Sequence, residues 1–195
     1  MSKPLPAKFQ FLLQPPKAPL MVQEAIKLYG TLEKPGAANN PTILAWADEI
    51  ARVTDSKYDD WVADFYNADS IAWCGLFVAI CALRSSQGRP ERYPVDKYLS
   101  ALAWANWGIP VSVEDALIGD VATKKRSGGG HVYIIIGMTP NSFWGIGGNQ
   151  NDAVTIAEFP KSGVHSVSRP KYIVKPDGAR KVMVTSAGAI PVKEA

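Results

Sequence analysis

Two residues in this 195-residue chain are of types that together do nucleophilic chemistry, Cys74 and His131. Cys74 lies in the first turn or two of an apolar stretch that reads as a buried helix over about 71–85, with Asp69 or Ser70 as its N-cap. Unpaired N–H groups and the helix dipole at such a position favour an anion, and so favour the reactive thiolate. A structural buried cysteine is the plain alternative, and it accounts well for Cys81. His131 follows Gly128-Gly129-Gly130 and opens an apolar strand over 131–137. A turn centred on Pro140 leads to a second strand over 142–147. Residues whose numbers sum to 280 then face each other, so that His131 meets Asn149 on a face shared with Tyr133. A helix-borne thiol, a strand-borne imidazole and an amide to fix the ring are the parts of a cysteine hydrolase.

The elements that must position these groups follow from pattern. A helix over 22–29 ends at Gly30, and a second runs over about 42–54 behind Asn40-Pro41. Residues 55–60 read as a polar turn. A short helix at 101–107 stops at Gly108. From Gly119 the pattern changes: a strand at 120–123, a basic glycine-rich loop at 124–130, the hairpin, and further strands near 154–158 and 164–172. Helices first and antiparallel strands after predict an α+β domain over 21–175. Residues 1–20 read as an extended Pro/Lys-rich leader and 176–195 as a tail without periodicity.

The totals narrow the function classes. The 47% apolar content is that of an ordinary globular protein. Cys74 and Cys81 are seven residues apart, which on a helix is about 10 Å and beyond disulfide reach, so two free thiols are expected. Two Cys and two His lack zinc-site spacing, and neither a metal nor a cofactor is expected. The net charge of +3 is uneven: residues 1–20 hold three Lys and no acid, and 161–195 hold seven Lys/Arg against Asp177 and Glu194. These ends are either solvated tails or contacts for anionic wall polymers or a membrane surface. No basic-aromatic stripe points to nucleic acid. No apolar run is long enough to span a membrane and none reads as a signal peptide, so synthesis in the cytoplasm is expected.

The chain resembles the papain-like NlpC/P60 and CHAP group of cell-wall cysteine peptidases, closest to a phage-lysin-type subgroup. The resemblance rests on Ala72-Trp73-Cys74-Gly75-Leu76-Phe77-Val78, Trp104-Ala105-Asn106-Trp107-Gly108, Gly119-Asp120-Val121, Gly129-Gly130-His131-Val132 and Gly147-Gly148-Asn149-Gln150-Asn151. Glu33-Lys34-Pro35-Gly36 with Asn40-Pro41 precede these, and Phe159-Pro160-Lys161-Ser162 with Arg169-Pro170 follow. It implies a papain-like fold, with N-terminal helices on a central antiparallel sheet, and hydrolysis of an amide bond in the peptide part of peptidoglycan. Cys74 would be the nucleophile, His131 the base and Asn149 the third residue. Tyr133 departs from the family pattern, where glycine is common, and would narrow the groove. Trp73, Tyr66 and Trp104 are the other candidate substrate contacts; for Trp104 and Trp107 core packing is the default. The Cys74 backbone N–H would supply one oxyanion donor, and Tyr66, Asn67 or Ser70 a second. Glu33 reads as a loop ion pair, Asp120 as a turn stabiliser, and Lys124-Lys125-Arg126 as a solvated loop or a contact for acidic stem peptides. A phage endolysin or an antibacterial effector fits a chain acting on the periplasmic or extracellular wall after release. The partners would be peptidoglycan and, for a monomer of that kind, a holin or an immunity protein. A non-catalytic wall-binding or phage structural protein is the alternative.

Overall fold

The computed structural model describes residues 3–36, 38–54, 56–185 and 188–191. Four α-helices come first: α1 (Leu20–Lys27), α2 (Pro41–Thr54), α3 (Lys57–Phe65) and α4 (Cys74–Ser85). Strands follow: β1 (Ile109–Val111), β2 (Val121–Arg126), β3 (Gly129–Met138), β4 (Ser142–Gly147), β5 (Thr155–Pro160), β6 (Val164–Arg169), β7 (Val182–Thr185) and β8 (Gly188–Pro191). The sheet runs β1-β6-β2-β3-β4-β5 with every neighbour antiparallel. β7 joins β3 in parallel through Met138 and Met183, and pairs with β8. The chain is therefore an α+β domain on a largely antiparallel sheet. Among the described residues no helix is long and apolar enough to cross a membrane.

α4 explains the layering. Residues 74–83 are all buried, as its apolar character on every side requires. One side takes α1 and α2; the other lies on the sheet face made by Val132, Ile134, Ile136 and Ile146. The opposite face of the sheet carries a smaller cluster with Ala122, Tyr133, Ile135, Phe143 and Phe159. β3 thus alternates strictly, even residues toward the helices and odd residues away, as the two-residue period demands. A bulge between Ile135 and Gly137 then reverses the parity, so that Met138 joins the second cluster. The pairs Ile134–Ile146 and Ile135–Gly145 keep the expected sum of 280, but beyond the bulge Gly137 faces Trp144 and Met138 faces Phe143.

Several expected boundaries move. The segment 57–65 is helical rather than part of a polar turn, because Ser56 caps it, accepting from the Asp59 N–H at 3.1 Å while its own hydroxyl donates to the Asp59 carboxylate. Asp69 and Ser70 do not cap α4, which starts three residues later than expected. Asp69 is buried and accepts instead from the backbone N–H groups of Lys34 and Asn40 at 2.9 and 2.7 Å, tying the 33–41 loop to the approach to Cys74. Lys124–Arg126 belong to β2, and only Ser127 and Gly128 separate that strand from β3.

The leader and the tail are built into the fold. Residues Ala7–Leu13 form a 3-10 helix that buries Phe9 and Leu12. Phe9 meets Trp144 edge-on at 5.5 Å, and the Lys8 ammonium lies 3.4 Å from the Trp144 ring centre. At the other end β7 and β8 extend the sheet. Gly178 lies so close to Lys17 that a Cβ there would stand 2.0 Å from the Lys17 carbonyl oxygen. Neither 20 nor 175 is a boundary of packing.

Candidate active site

Cys74 is the first residue of α4, with Trp73 as a cap that supplies no side-chain hydrogen bond. Its position is fixed from three sides. The carbonyls of Tyr98 and Leu99 cross directly over Gly75, where a Cβ would stand 2.1 and 2.8 Å from them. The Trp73 ring is fully buried against Trp46, at 5.9 Å, and Gly148, and its indole N–H donates to Glu33 Oε1 at 2.5 Å. The Tyr66 hydroxyl donates to the Ile71 carbonyl at 2.5 Å and holds the loop leading to the helix. Glu33 is therefore the acceptor for a core indole rather than half of a loop ion pair.

The approach of the thiol to the sheet follows from backbone direction. The Ile135 N–H donates to the Asp120 carbonyl and the Ile135 carbonyl accepts from Gly119, so odd residues of β3 direct their polar groups toward β2. Even residues point the other way, toward β4. The ladder with β4 stops at Ile134–Ile146, so the Val132 N–H has no strand partner on that side. Cys74 comes up on that side, where the Val132 N–H favours the sulfur as an anion. Cys74 thus lies where the ladder between β3 and β4 ends, near the residue that follows His131.

His131 extends from the other face of β3. Its ring stacks near Tyr133 at 6.1 Å and Phe159 at 5.6 Å, and Nε2 lies 2.9 Å from Gln150 Oε1. The Gln150 amide nitrogen donates to the Thr155 carbonyl at 2.8 Å and the Thr155 hydroxyl at 3.2 Å. That fixes the amide with its oxygen toward the imidazole, so Nε2 carries the proton and Nδ1 keeps a free lone pair. Among the described residues no hydrogen bond joins the thiol directly to the imidazole.

The side chain that holds the His131 ring is Gln150, where the sequence register points to Asn149. The reason lies in the chain after β4, which adopts left-handed conformations at Asn149 (φ 54°), Asn151 and Asp152. Asn tolerates that region better than most residues. The coil turns the next side chain back over Gly147, where a Cβ would meet Gln150 Oε1 at 2.4 Å. Asn149 shapes the turn; Gln150 reaches the ring. The signal available in the sequence was the Gly147-Gly148-Asn149 run, which argues for a turn before position 149.

The other candidates are packed away. Tyr66, Trp73, Trp104 and Tyr133 are all at most 2% exposed, so none lies on an open groove. Trp104 donates its indole N–H to the Tyr98 carbonyl at 3.0 Å, and Tyr133 stacks on Phe159 at 4.0 Å over the bare Gly145. These side chains hold the framework: Trp73 seats Cys74, and Tyr133 with Phe159 floors His131. With its hydroxyl spent on Ile71, Tyr66 is not a free oxyanion donor. Asp120 is wholly buried, accepts from the Leu117 N–H and forms a two-point ion pair with Arg169 at 2.8 and 3.0 Å. Cys81 is a free thiol buried in mid-helix and His165 is exposed on β6. Among the described residues no three His, Cys, Asp or Glu side chains are placed to share a metal ion.

No family model, curated protein or solved structure matches the chain.

Burial sets the charge state of the pair. Cys74 is 4% and His131 5% exposed. Burial pushes the thiol upward, and the Val132 N–H, the Arg126 charge and the Gly75 and Cys74 amides oppose it without overcoming it. Burial pulls the imidazole down to about 4, partly offset by the Gln150 hydrogen bond and reinforced by Lys124 and Arg126. At neutral pH both groups rest uncharged, a neutral thiol and a neutral imidazole. Such a pair suits general-base attack, with Arg126 and the helix amides stabilising the sulfur as its proton leaves.

Three outcomes follow. Above pH 6.5 His131 is neutral folded and unfolded alike, and it imposes no penalty. Between 6.5 and about 4 the unfolded chain takes the proton and the native state refuses it, so stability falls with pH. The full loss, complete below about pH 4, is roughly 3 kcal/mol. Urea melts of wild type and His131→Gln from pH 7.5 to 4.5 should show the variant losing less stability on acidification; parallel curves would contradict this. Gln150→Ala should cost about 1–2 kcal/mol by orphaning the ring N–H and the Thr155 carbonyl. Asn149→Gly, at a left-handed position, should be within about 0.5 kcal/mol of wild type, as the same melts would show.

Proposed function

We propose that the protein is a cysteine amide hydrolase of the papain-like NlpC/P60 and CHAP kind, cutting an amide bond in the peptide part of peptidoglycan. The observation that carries this reading is the seating of Cys74 at the head of a buried helix, where the ladder between β3 and β4 ends, near the strand start that bears His131. The Cys74 sulfur attacks the scissile carbonyl and its proton passes to His131 Nδ1. The carbon–sulfur bond forms, the carbon–nitrogen bond breaks, and His131 returns the proton to the leaving amine. Water, deprotonated by the same nitrogen, then hydrolyses the thioester. Gln150 keeps the ring in the required tautomer throughout. The helix N–H groups at Cys74 and Gly75 are the natural donors for the developing oxyanion.

An endopeptidase and an N-acetylmuramoyl-L-alanine amidase share this chemistry, and an endolysin or an antibacterial effector would use either. Purified sacculi incubated with the protein should release soluble muropeptides, and mass spectrometry of the new ends names the bond. Intact sacculi from both Gram-negative and Gram-positive walls after prolonged incubation would overturn the reading. A second reading, a wall-binding protein without turnover, is favoured by one observation: both reactive side chains are nearly closed off from solvent. It predicts sedimentation with sacculi and no released ends.

A further inference from the structure

A cavity of about 440 Å³ lies at the far end of α4, bordered by Ser85 and so separated from Cys74 by the twelve-residue helix, about 17 Å. It falls within the size range of small-molecule sites. Its walls are apolar, with Trp107, Pro170 and Pro19 inside and Leu20, Ile173 and Val174 at the opening. The last three are 41%, 65% and 81% exposed, an unusual outlay of bare hydrocarbon around one hollow. Among the described residues three cations, Lys17, Arg89 and Arg92, share the lining, and no carboxylate does. None of the three is in an ion pair among the described residues. Arg92 spends its Nε–H on the Lys171 carbonyl at 2.9 Å, which leaves the guanidinium charge unbalanced. Tyr172 is also in the lining, and its hydroxyl is buried without a hydrogen-bond partner among the described residues.

Like charges gathered at an apolar hollow repel one another unless an anion joins them, and an anion with no apolar part would leave the walls wet. Both needs are met by one kind of molecule. We propose that this cavity is a binding site for an amphipathic carboxylate, a short hydrocarbon chain ending in one acid group. The chain lies against Trp107 and Pro170, and the head group sits among Lys17, Arg89 and Arg92. The site is independent of Cys74.

Isothermal titration with octanoate, 1-octanol and inorganic phosphate tests this on the full chain. Octanoate should bind saturably at one site, at least tenfold more tightly than either control, and equally to Cys74→Ser. Lys17→Gln with Arg89→Gln should weaken octanoate at least tenfold while the thermal melt stays cooperative. Should that pair fail to fold, Val174→Asp, at an exposed position on the rim, should produce the same loss by repulsion. Absence of saturation, octanol as tight as octanoate, phosphate as tight as octanoate, or unchanged affinity in the folded variants would each overturn the proposal.

Discussion

Cys74→Ser is expected to abolish release of muropeptides from sacculi, lowering kcat by at least about a thousandfold. Serine is the sharper substitution. Its hydroxyl keeps a polar group of similar size facing the Val132 N–H, which alanine would not. Folding should therefore survive in Cys74→Ser, with a melting temperature within a few degrees of wild type. A neutral His131 ring, already a weak base, would take a proton from a hydroxyl far less readily than from a thiol, because a hydroxyl is a far weaker acid. Cys81→Ala, by contrast, should retain activity and lose only about 1 kcal/mol of stability, since that thiol is buried in mid-helix, two turns from Cys74. Wild-type release by Cys74→Ser would sink the proposed mechanism outright.

The second large effect concerns Gly75. Alanine is the better helix former by about 1 kcal/mol, so propensity alone favours Gly75→Ala. The structure decides against it. A methyl at 75 would lie 2.1 Å from the Tyr98 carbonyl oxygen and 2.8 Å from that of Leu99, and neither is the end of a flexible side chain. Either the 98–99 segment or the first turn of α4 has to shift. Tyr98 is anchored by the Trp104 indole and by the edge of Tyr58 at 5.4 Å, so the helix is the softer partner. The expected cost is about 3–5 kcal/mol in urea denaturation. Any protein that still folds should lose activity too, because Cys74 moves with its helix. A variant as stable as wild type would show that the segment over α4 is loose.

The sequence made α4 legible because nothing else explains a stretch that is apolar on every side. It made the β3–β4 hairpin legible because Val132–Ile136 and Phe143–Ile146 flank a turn at Pro140. Cys74 and His131 emerge from those two elements alone. Gln150 was hidden by one residue of slippage: the register argument extends a straight ladder past Gly147, where the chain instead coils left-handed. The bulge at Ile135–Gly137 was equally invisible, since an extra residue leaves the alternation of Ile134, Ile135 and Ile136 looking unbroken. The aromatic candidates failed for a different reason. Trp73, Trp104 and Tyr133 are as good for packing as for gripping a ligand, and only the three-dimensional neighbourhood tells which. α3 was missed although Ser56 and Asp59 carry its start, because the two aspartates at 59 and 60 read as a turn. The β7–β8 hairpin was missed because four-residue strands at the margin of a sheet carry too few positions to show a period.

The packing of the first 3-10 helix on Trp144, the closeness of Gly178 to Lys17, and the contact of β8 with that same helix join the two outer segments into one clasp. They share a fate. Limited digestion that severs either segment removes the surface on which the other rests, so both should come away together, baring Trp144 and the margin of β3. A shortened version designed by trimming one side as dispensable would then gain a sticky flank, and its poor solubility would reflect the lost latch rather than any failure of the layer around α4.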